Sequence, residues 1–438
     1  MCALSRTLIP VDDGSGMYRL VERLYPICRS ITGDGVRESL QILQEHVPLE
    51  MHEVPTGTPV FDWVVPDEWN IRDAWIRNPA GEKIVDFKQL NLHVLNYSEP
   101  VHRKVSLDEL KQHLHTLPDQ PEWVPYRTSY HQRNWGFCMP HRQFLTLEEG
   151  EYEVCIDSDL KPGSLTYGEL FIQGHSDEEV LLVTHVCHPS LCNDNLSGMA
   201  VATALAQNLS ALNPNYSYRF LFLPATIGSI TWLSRNKDKL DRIKHGLVLC
   251  LLGDKEKFHY KMSRRGDAEI DRIVRRVLKQ GGKPFETIKF YPYGYDERQF
   301  CSPALNLPVG RLSRAVHGEF PEYHTSADNL DFVNEASLQE SLDLLRQVVT
   351  HIETAEKYIN LKPTCEPQLG RRGLFKPIGG QRETKDFQMA LLWILNLSDG
   401  HYSLDDIAEQ SGLDMDLLGE AVAELLKTDL LATYPREK

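Results

Sequence analysis

His185, His188 and Asp194 lie within one stretch, VLLVTHVCHPSLCNDNLSG, that spans residues 180–198. Neutral imidazoles and a short carboxylate are ligands that a zinc-type cation takes, so this grouping points to a metal site. A plainer reading makes the histidines loop residues and Asp194 the N-cap of the following helix. Asn193, Asn195, Ser197 and Gly198 around it are more than a cap requires. Four further clusters carry candidate chemistry. The turn Pro224-Ala225-Thr226-Ile227-Gly228-Ser229 offers no charged residue, which favours an ordinary strand-to-helix turn capped by Ser229. Asp254 follows an apolar run and reads equally as a solvated turn aspartate or as a ligand. Asp296 and Glu297 stand beside Arg298, a pattern that fits a surface ion pair as well as a polar site. His324 lies in EYHTSADN, where a single histidine is usually a loop residue; with a His/His/Asp site already in the chain it reads as a further ligand.

The elements that must position these groups follow from periodicity. Val180 to Val183 is continuously apolar, as a strand covered on both faces of a parallel sheet should be. His185 and His188 then sit at its carboxyl end, where doubly wound sheets place their ligands. Met199, Ala202, Leu205, Ala206 and Leu209 mark one face of the next helix. Strand YRFLFLP, a helix over 229–237, strand GLVLCLLG, a helix over 267–279, strand ETIKFYP and a long amphipathic helix over 336–358 continue the alternation. Such a pattern predicts an α/β, three-layer, mainly parallel sheet. Upstream, a helix from residue 17 breaks at Pro26 and a second begins near Asp34.

Between residues 55 and 154 the texture changes to short β-like runs (VFDWVVP, KIVDF, NLHVLNY, GEYEVCI) broken by Pro, Gly and Asn. Trp63, Trp69, Trp75, Trp123 and Trp135 all fall here, enough to give an inserted β-rich module its own core. Residues 1–54 and 155–362 then form the host domain. Residues 363–438 read as a separate unit, in which SLDDIAEQSGLDMDLLGEAVAELLKTDLL is a helix-turn-helix pattern with Gly412 in the turn. Charge argues against DNA as its partner: residues 381–438 hold five Lys/Arg against twelve Asp/Glu, 5 − 12 = −7. Asp414 and Asp416 would meet phosphates unfavourably. A protein partner or a second copy of the chain fits better, and the chain's net charge of −15 also disfavours nucleic acid and anionic membranes. Nine scattered cysteines without a C-x-x-C pair, no apolar run of membrane-spanning length and no signal-like core in MCALSRTLIPVDDG indicate a reduced, cytoplasmic protein.

The ordered words H…NDNxSG, a strand-end polar turn ending in GS, and YHTSxDN resemble the zinc aminopeptidase clan of co-catalytic type. FDWVVPDEWNIRDAWI, FKQLNLHVLNYSEPV, VPYRTSYHQRNWGFC, HVCHPSLCNDNLSG, PATIGSI, DERQF and EFPEYHTSADNLDFV are similar to a bacterial group of aminopeptidase-like proteins. Those carry an inserted β-rich domain and a C-terminal winged helix, and the resemblance covers essentially the whole chain. It implies an aminopeptidase-like (phosphorylase/hydrolase-type) fold and a metal-dependent hydrolase of a small peptide or amide, with one zinc ion or two. By position it implies His185 and His324 as metal histidines, with His188 an alternative or additional ligand. Asp194 matches the carboxylate that bridges two metals or ligates one, and Asp254 a further metal carboxylate. Asp296 and Glu297 match a segment near the pocket that holds a substrate amino group.

One departure bears on activity. In the close group the turn PATIGS is expected to read Pro-Glu-Thr-Ile-Gly-Ser, with the general base at position 225, where this chain has Ala225. A methyl group cannot take a proton from water and pass it to a leaving amine, and losing a general base costs ~10²–10⁴-fold in rate. The expectation is therefore a zinc-dependent amide hydrolase impaired at Ala225. The alternatives are deacylation of a sugar or natural-product amide, and a binding or regulatory protein that keeps the fold without catalysis. The inserted module is expected to roof the pocket, with Trp63, Trp69, Trp135 and Phe137 mainly in its core.

Overall fold

The computed structural model describes residues 9–11, 13–374 and 382–434. Most of MCALSRTLIPVDDG, together with residues 375–381 and 435–438 of the C-terminal stretch, lies outside these. Strand Glu179–His185 is buried along its whole length. Val180 and Leu182 face one core and Leu181 and Val183 the other. A strand's period of two thus turns an unbroken apolar run into two packed surfaces. The eight strands lie in the spatial order Glu50–Pro55, Ser164–Ile172, Ser217–Leu223, Glu179–His185, Ile243–Leu249, Val309–Ser313, Phe258–Lys261 and Phe285–Ile288. The middle four are mutually parallel, as are the last two. Antiparallel pairing enters at the first two strands and between Val309–Ser313 and Phe258–Lys261, so the sheet is mixed and mostly parallel. Helices Gly14–Leu24, Asp34–Leu43, Gly198–Ser210, Glu269–Gln280 and Glu335–Thr354 pack on one face. Helix Ile227–Arg235 and apolar residues from the 55–154 segment pack on the other.

Within that segment four antiparallel strands run in the order Lys83–Asp86, Glu68–Arg77, Glu151–Lys161 and Val101–Ser106. Strand Glu151–Lys161 continues past residue 154 before the host sheet resumes at Ser164. NLHVLNY is not a strand: it holds a 3-10 turn, Asn91–His93, followed by isolated bridges. Its polar residues tie elements together instead. Asn96 Nδ2 donates to Arg29 O (2.9 Å) and its Oδ1 accepts from Ser30 Oγ (2.6 Å), both in the host domain. Trp69 and Phe137 are core residues, whereas Trp63 is exposed.

The long helix stops at Thr354, because Lys357–Asn360 is a strand between Asp399–Ser403 and Leu431–Thr433. That small sheet and helices Arg382–Leu397, Leu404–Ser411 and Met415–Lys427 make the C-terminal unit. Gly412 ends the middle helix at φ 69°, the left-handed position that glycine takes without strain. Asp406 of this helix docks on helix Glu269–Gln280: its Oδ1 lies 2.5 Å from Arg276 Nη2 and its Oδ2 3.1 Å from Arg272 Nε. Part of the unit's negative charge is therefore matched inside the chain. No helix among the described residues is long and apolar enough to cross a membrane.

Candidate metal centre

Beyond His185 the chain leaves the sheet and enters an irregular turn, Cys192–Ser197, where Asp194 (φ −109°, ψ 79°) and Asn195 (φ −145°, ψ 35°) are non-helical. The regular helix starts only at Gly198 and has no side-chain cap, so Asp194 is not its N-cap. Its polar neighbours brace the turn. Asn195 Nδ2 donates to Thr184 Oγ1 (2.8 Å) and Leu249 O (3.3 Å), and Ser197 Oγ donates to Asn193 O (2.7 Å). At Gly198 a Cβ would stand 2.6 Å from Leu249 O, so the strand-to-turn approach requires glycine. From the HTSADN segment, Asp328 accepts the backbone N–H groups of Asn193 (2.6 Å) and Asp194 (2.9 Å).

These braces aim Asp194 at three imidazoles. Its Oδ1 is 2.8 Å from His185 Nε2; its Oδ2 is 3.0 Å from His324 Nε2 and 3.9 Å from His188 Nε2. The ligand atoms of His185, His188 and Asp194 all lie within 4.8 Å of one another. Sequence ranked His188 below His185, but the geometry includes both, and His324 joins through the second carboxylate oxygen. Burial opposes ionisation of Asp194, yet His188 nearby and the hydrogen bonds from His185 and His324 hold its pKa well below the usual carboxylate range. Burial pushes His188 well below its usual value, against the pull of Asp194, so this imidazole is neutral. A carboxylate with imidazole nitrogens gathered on its oxygens is a donor set that zinc takes. The residues therefore fit such a cation.

The 55–154 segment reaches into this centre. Pro125 and Thr325 form an antiparallel bridge, Tyr126 N donates to His324 O (2.7 Å), and Ser326 N donates to Val124 O (2.8 Å). The Tyr126 ring meets His324 edge-on at 5.0 Å, while Tyr323 stacks on His324 at 3.9 Å. Tyr295 stacks on His185 at 4.9 Å. Asp328 and these three tyrosines went unassigned in the sequence. Asp328 and Tyr323 had a signal in their place inside the EYHTSADN word, and Tyr126 in its place inside VPYRTSYHQRNWGFC; Tyr295 had none.

A cavity of about 630 Å³ opens beside the centre, with His188, Ala225, Tyr295 and Tyr323 on its walls and Trp63 and Val64 at the side of the 55–154 segment. Ala225 O lies 3.8 Å from Sγ of Cys187, the neighbour of His188. Two expected residues, Asp254 and Glu297, do other work. Both oxygens of Asp254 are engaged: Oδ2 accepts from Asn193 Nδ2 (2.7 Å) and Ala315 N (3.2 Å), and Oδ1 from Glu256 N (2.7 Å). It supports the turn and is not grouped with the metal donors, because its position at a strand end fixes its location but not its direction. Glu297 is fully buried and off the cavity wall, with its Oε1 2.9 Å from Lys261 Nζ and 3.7 Å from Arg311 Nη1, so its charge balances internal cations. Asp296 is also fully buried; its Oδ1 accepts from Ser229 Oγ (2.6 Å), while its Oδ2 is buried without a hydrogen-bond partner. Burial raises its pKa to about 6, against the lowering effects of Ser229 and His185.

The fold is that of an aminopeptidase-like α/β protein with a C-terminal winged helix. Structures described as a zinc aminopeptidase from Bacillus subtilis (12% identity, TM-score 0.56, 79% of this chain and 96% of that one) and a peptidase M28 precursor from Shewanella amazonensis (14%, 0.55, 77% and 92%) share the fold. The chain belongs to the family described as "Domain of unknown function (DUF4910)", whose model matches residues 18–355, and a winged helix-turn-helix model matches residues 356–433. It is 53% identical over 420 residues, 96% of each chain, to a Clostridium acetobutylicum protein named for polysaccharide biosynthesis with an aminopeptidase-like domain. A crystal structure of a candidate peptidase from that organism is 52% identical, covers 96% of each chain and superposes with a TM-score of 0.83.

Proposed function

We propose that this chain binds a zinc-type cation on His185, His188, Asp194 and His324 and is an amide hydrolase site whose proton-transfer step is impaired at Ala225. The observation that carries this is the convergence of three imidazoles on the two oxygens of one buried carboxylate. When bound, such a cation polarises a carbonyl and makes water acidic enough to act as a nucleophile near neutral pH. The chain's own residues do the rest. Asp328 fixes the backbone of Asp194, Tyr126 and Tyr323 hold the ring of His324, and the cavity wall admits an amide beside His188. At position 225 a methyl group faces the cavity, and no proton can be carried from there. The substrate in this reading is a small peptide or amide. The name of the Clostridium relative favours one refinement, an amide on a sugar or a sugar-linked group. One ion or two, the cytoplasmic location and a docking role for the winged helix belong to the same proposal. Zinc stoichiometry tests it: the purified full chain should retain at least one zinc after dialysis, and Asp194→Ala should lose it. A wild-type chain that holds no zinc after reconstitution would leave a binding or regulatory role instead.

A further inference from the structure

The walls of the 630 Å³ cavity carry one arginine and three histidines and, among the described residues, no aspartate or glutamate. That is the wrong sign for gripping a substrate's ammonium group. Arg298 lines the cavity, its Nε is buried without a hydrogen-bond partner, and no described carboxylate lies within ion-pair distance of it. Asp296 feels its charge but is turned to Ser229 and lies off the wall. His317 lines the same cavity and meets the Tyr293 ring that Arg298 also approaches; its Nδ1 lies 2.9 Å from Arg311 Nη1. A guanidinium only donates, so Nδ1 accepts and the ring proton of neutral His317 sits on Nε2, as a donor. Burial and the charge of Arg311 hold the His317 pKa down to about 4, which keeps this tautomer neutral. Behind it Lys261 and Arg311 share the single carboxylate of Glu297, and Arg311 Nε and Nη2 are buried without partners. Two cations against one anion therefore stand behind His317; the other anions whose charge reaches these walls are Asp194, on the metal side, and Asp296, beside Arg298.

We infer that the cavity recognises an amide bearing an anionic group, a carboxylate or a phosphate, held by Arg298 and the Nε2–H of His317. This rests on the reading that the cavity is the substrate pocket of the metal centre. The test measures binding by calorimetry to the full chain, with and without added zinc. The probes are the α-amide of N-acetyl-L-glutamate, whose one charge is its side-chain carboxylate, its neutral isostere N-acetyl-L-glutamine amide, N-acetyl-O-phosphoserine amide and the cationic L-leucinamide. At least one anionic probe should bind about tenfold or more tighter than the neutral isostere, as a charge-assisted contact provides. Arg298→Ala should remove that advantage, Arg298→Lys should restore part of it, and the order of the two anions separates carboxylate from phosphate. Leucinamide binding as tightly as the anions overturns the inference. So does an anion advantage that survives Arg298→Ala, since the anion would then be sitting on the metal. Zinc content of the same samples reports separately on the metal centre, so failure there is distinguishable from failure here.

Discussion

Restoring a carboxylate at position 225 is the sharpest perturbation of the proposed chemistry. Ala225 is half-buried on the cavity wall, and its carbonyl is 3.8 Å from the sulfur of Cys187, one residue from His188. A glutamate carboxylate reaches roughly 4–5 Å from its own Cα, so Ala225→Glu can enter the cavity without displacing the core. A general base within hydrogen-bond reach is worth ~10²–10⁴-fold, about 2.7–5.4 kcal/mol off the barrier. The assay is kcat/KM on a panel of N-acyl and aminoacyl anilides, with zinc content measured on the same samples. Ala225→Glu should gain at least 100-fold on one member of the panel, whereas Ala225→Gln, equal in size but unable to take the proton, should gain nothing. An unchanged rate in Ala225→Glu protein that holds zinc, or an equal gain in the glutamine variant, refutes the base assignment.

Three other outcomes follow from the same geometry. Glu297→Gln leaves Lys261 and Arg311 buried without their anion and should cost about 3–5 kcal/mol of stability in denaturant melts; a role in holding a substrate amine would raise KM and leave stability nearly unchanged. Asp328→Asn removes one of two acceptors that hold the Asp194 backbone and should weaken zinc affinity about 10–100-fold by chelator competition while the fold persists; unaltered affinity would make Asp328 a bystander. Asp406 has its pKa lowered: burial alone would raise it, but Arg272, the Ser403 N–H and Arg276 outweigh that. Its contribution is therefore fully present above the unfolded value of 3.8 and lost as pH falls from there through the folded value. Asp406→Asn should flatten that acid limb of the stability curve, and an unchanged limb would assign it to other carboxylates.

How much of this was legible in the chain depends on what local pattern can encode. The apolar run before His185 and the crowd of polar residues around Asp194 revealed a strand end and a turn that a cap does not explain. His324 was legible because its word matched a family, since no local spacing links it to a residue 130 positions upstream. Asp254 shows the limit: a strand-end aspartate was found, but whether it faces the metal or braces Asn193 depends on the fold of the turn between them. Glu297 was misread for the same reason, because its partners Lys261 and Arg311 come from distant strands. In the 55–154 segment, strand Glu68–Arg77 was hidden by Arg72 and Asp73, whose charges interrupt the alternation at a register shift. Asn96 turned NLHVLNY into a tie to the host domain, an outcome that β-propensity does not anticipate. Tyr126 stood inside a family-like word without a role attached, and Tyr295 carried no signal that would distinguish it from a core residue.

The most direct test of the account is anomalous diffraction at the zinc edge from crystals of the zinc-reconstituted chain. A peak within bonding distance, about 2.0–2.2 Å, of Asp194 and at least two of His185, His188 and His324 is the predicted result. Full zinc loading in solution with no density at these side chains, or a peak coordinated elsewhere, would contradict it.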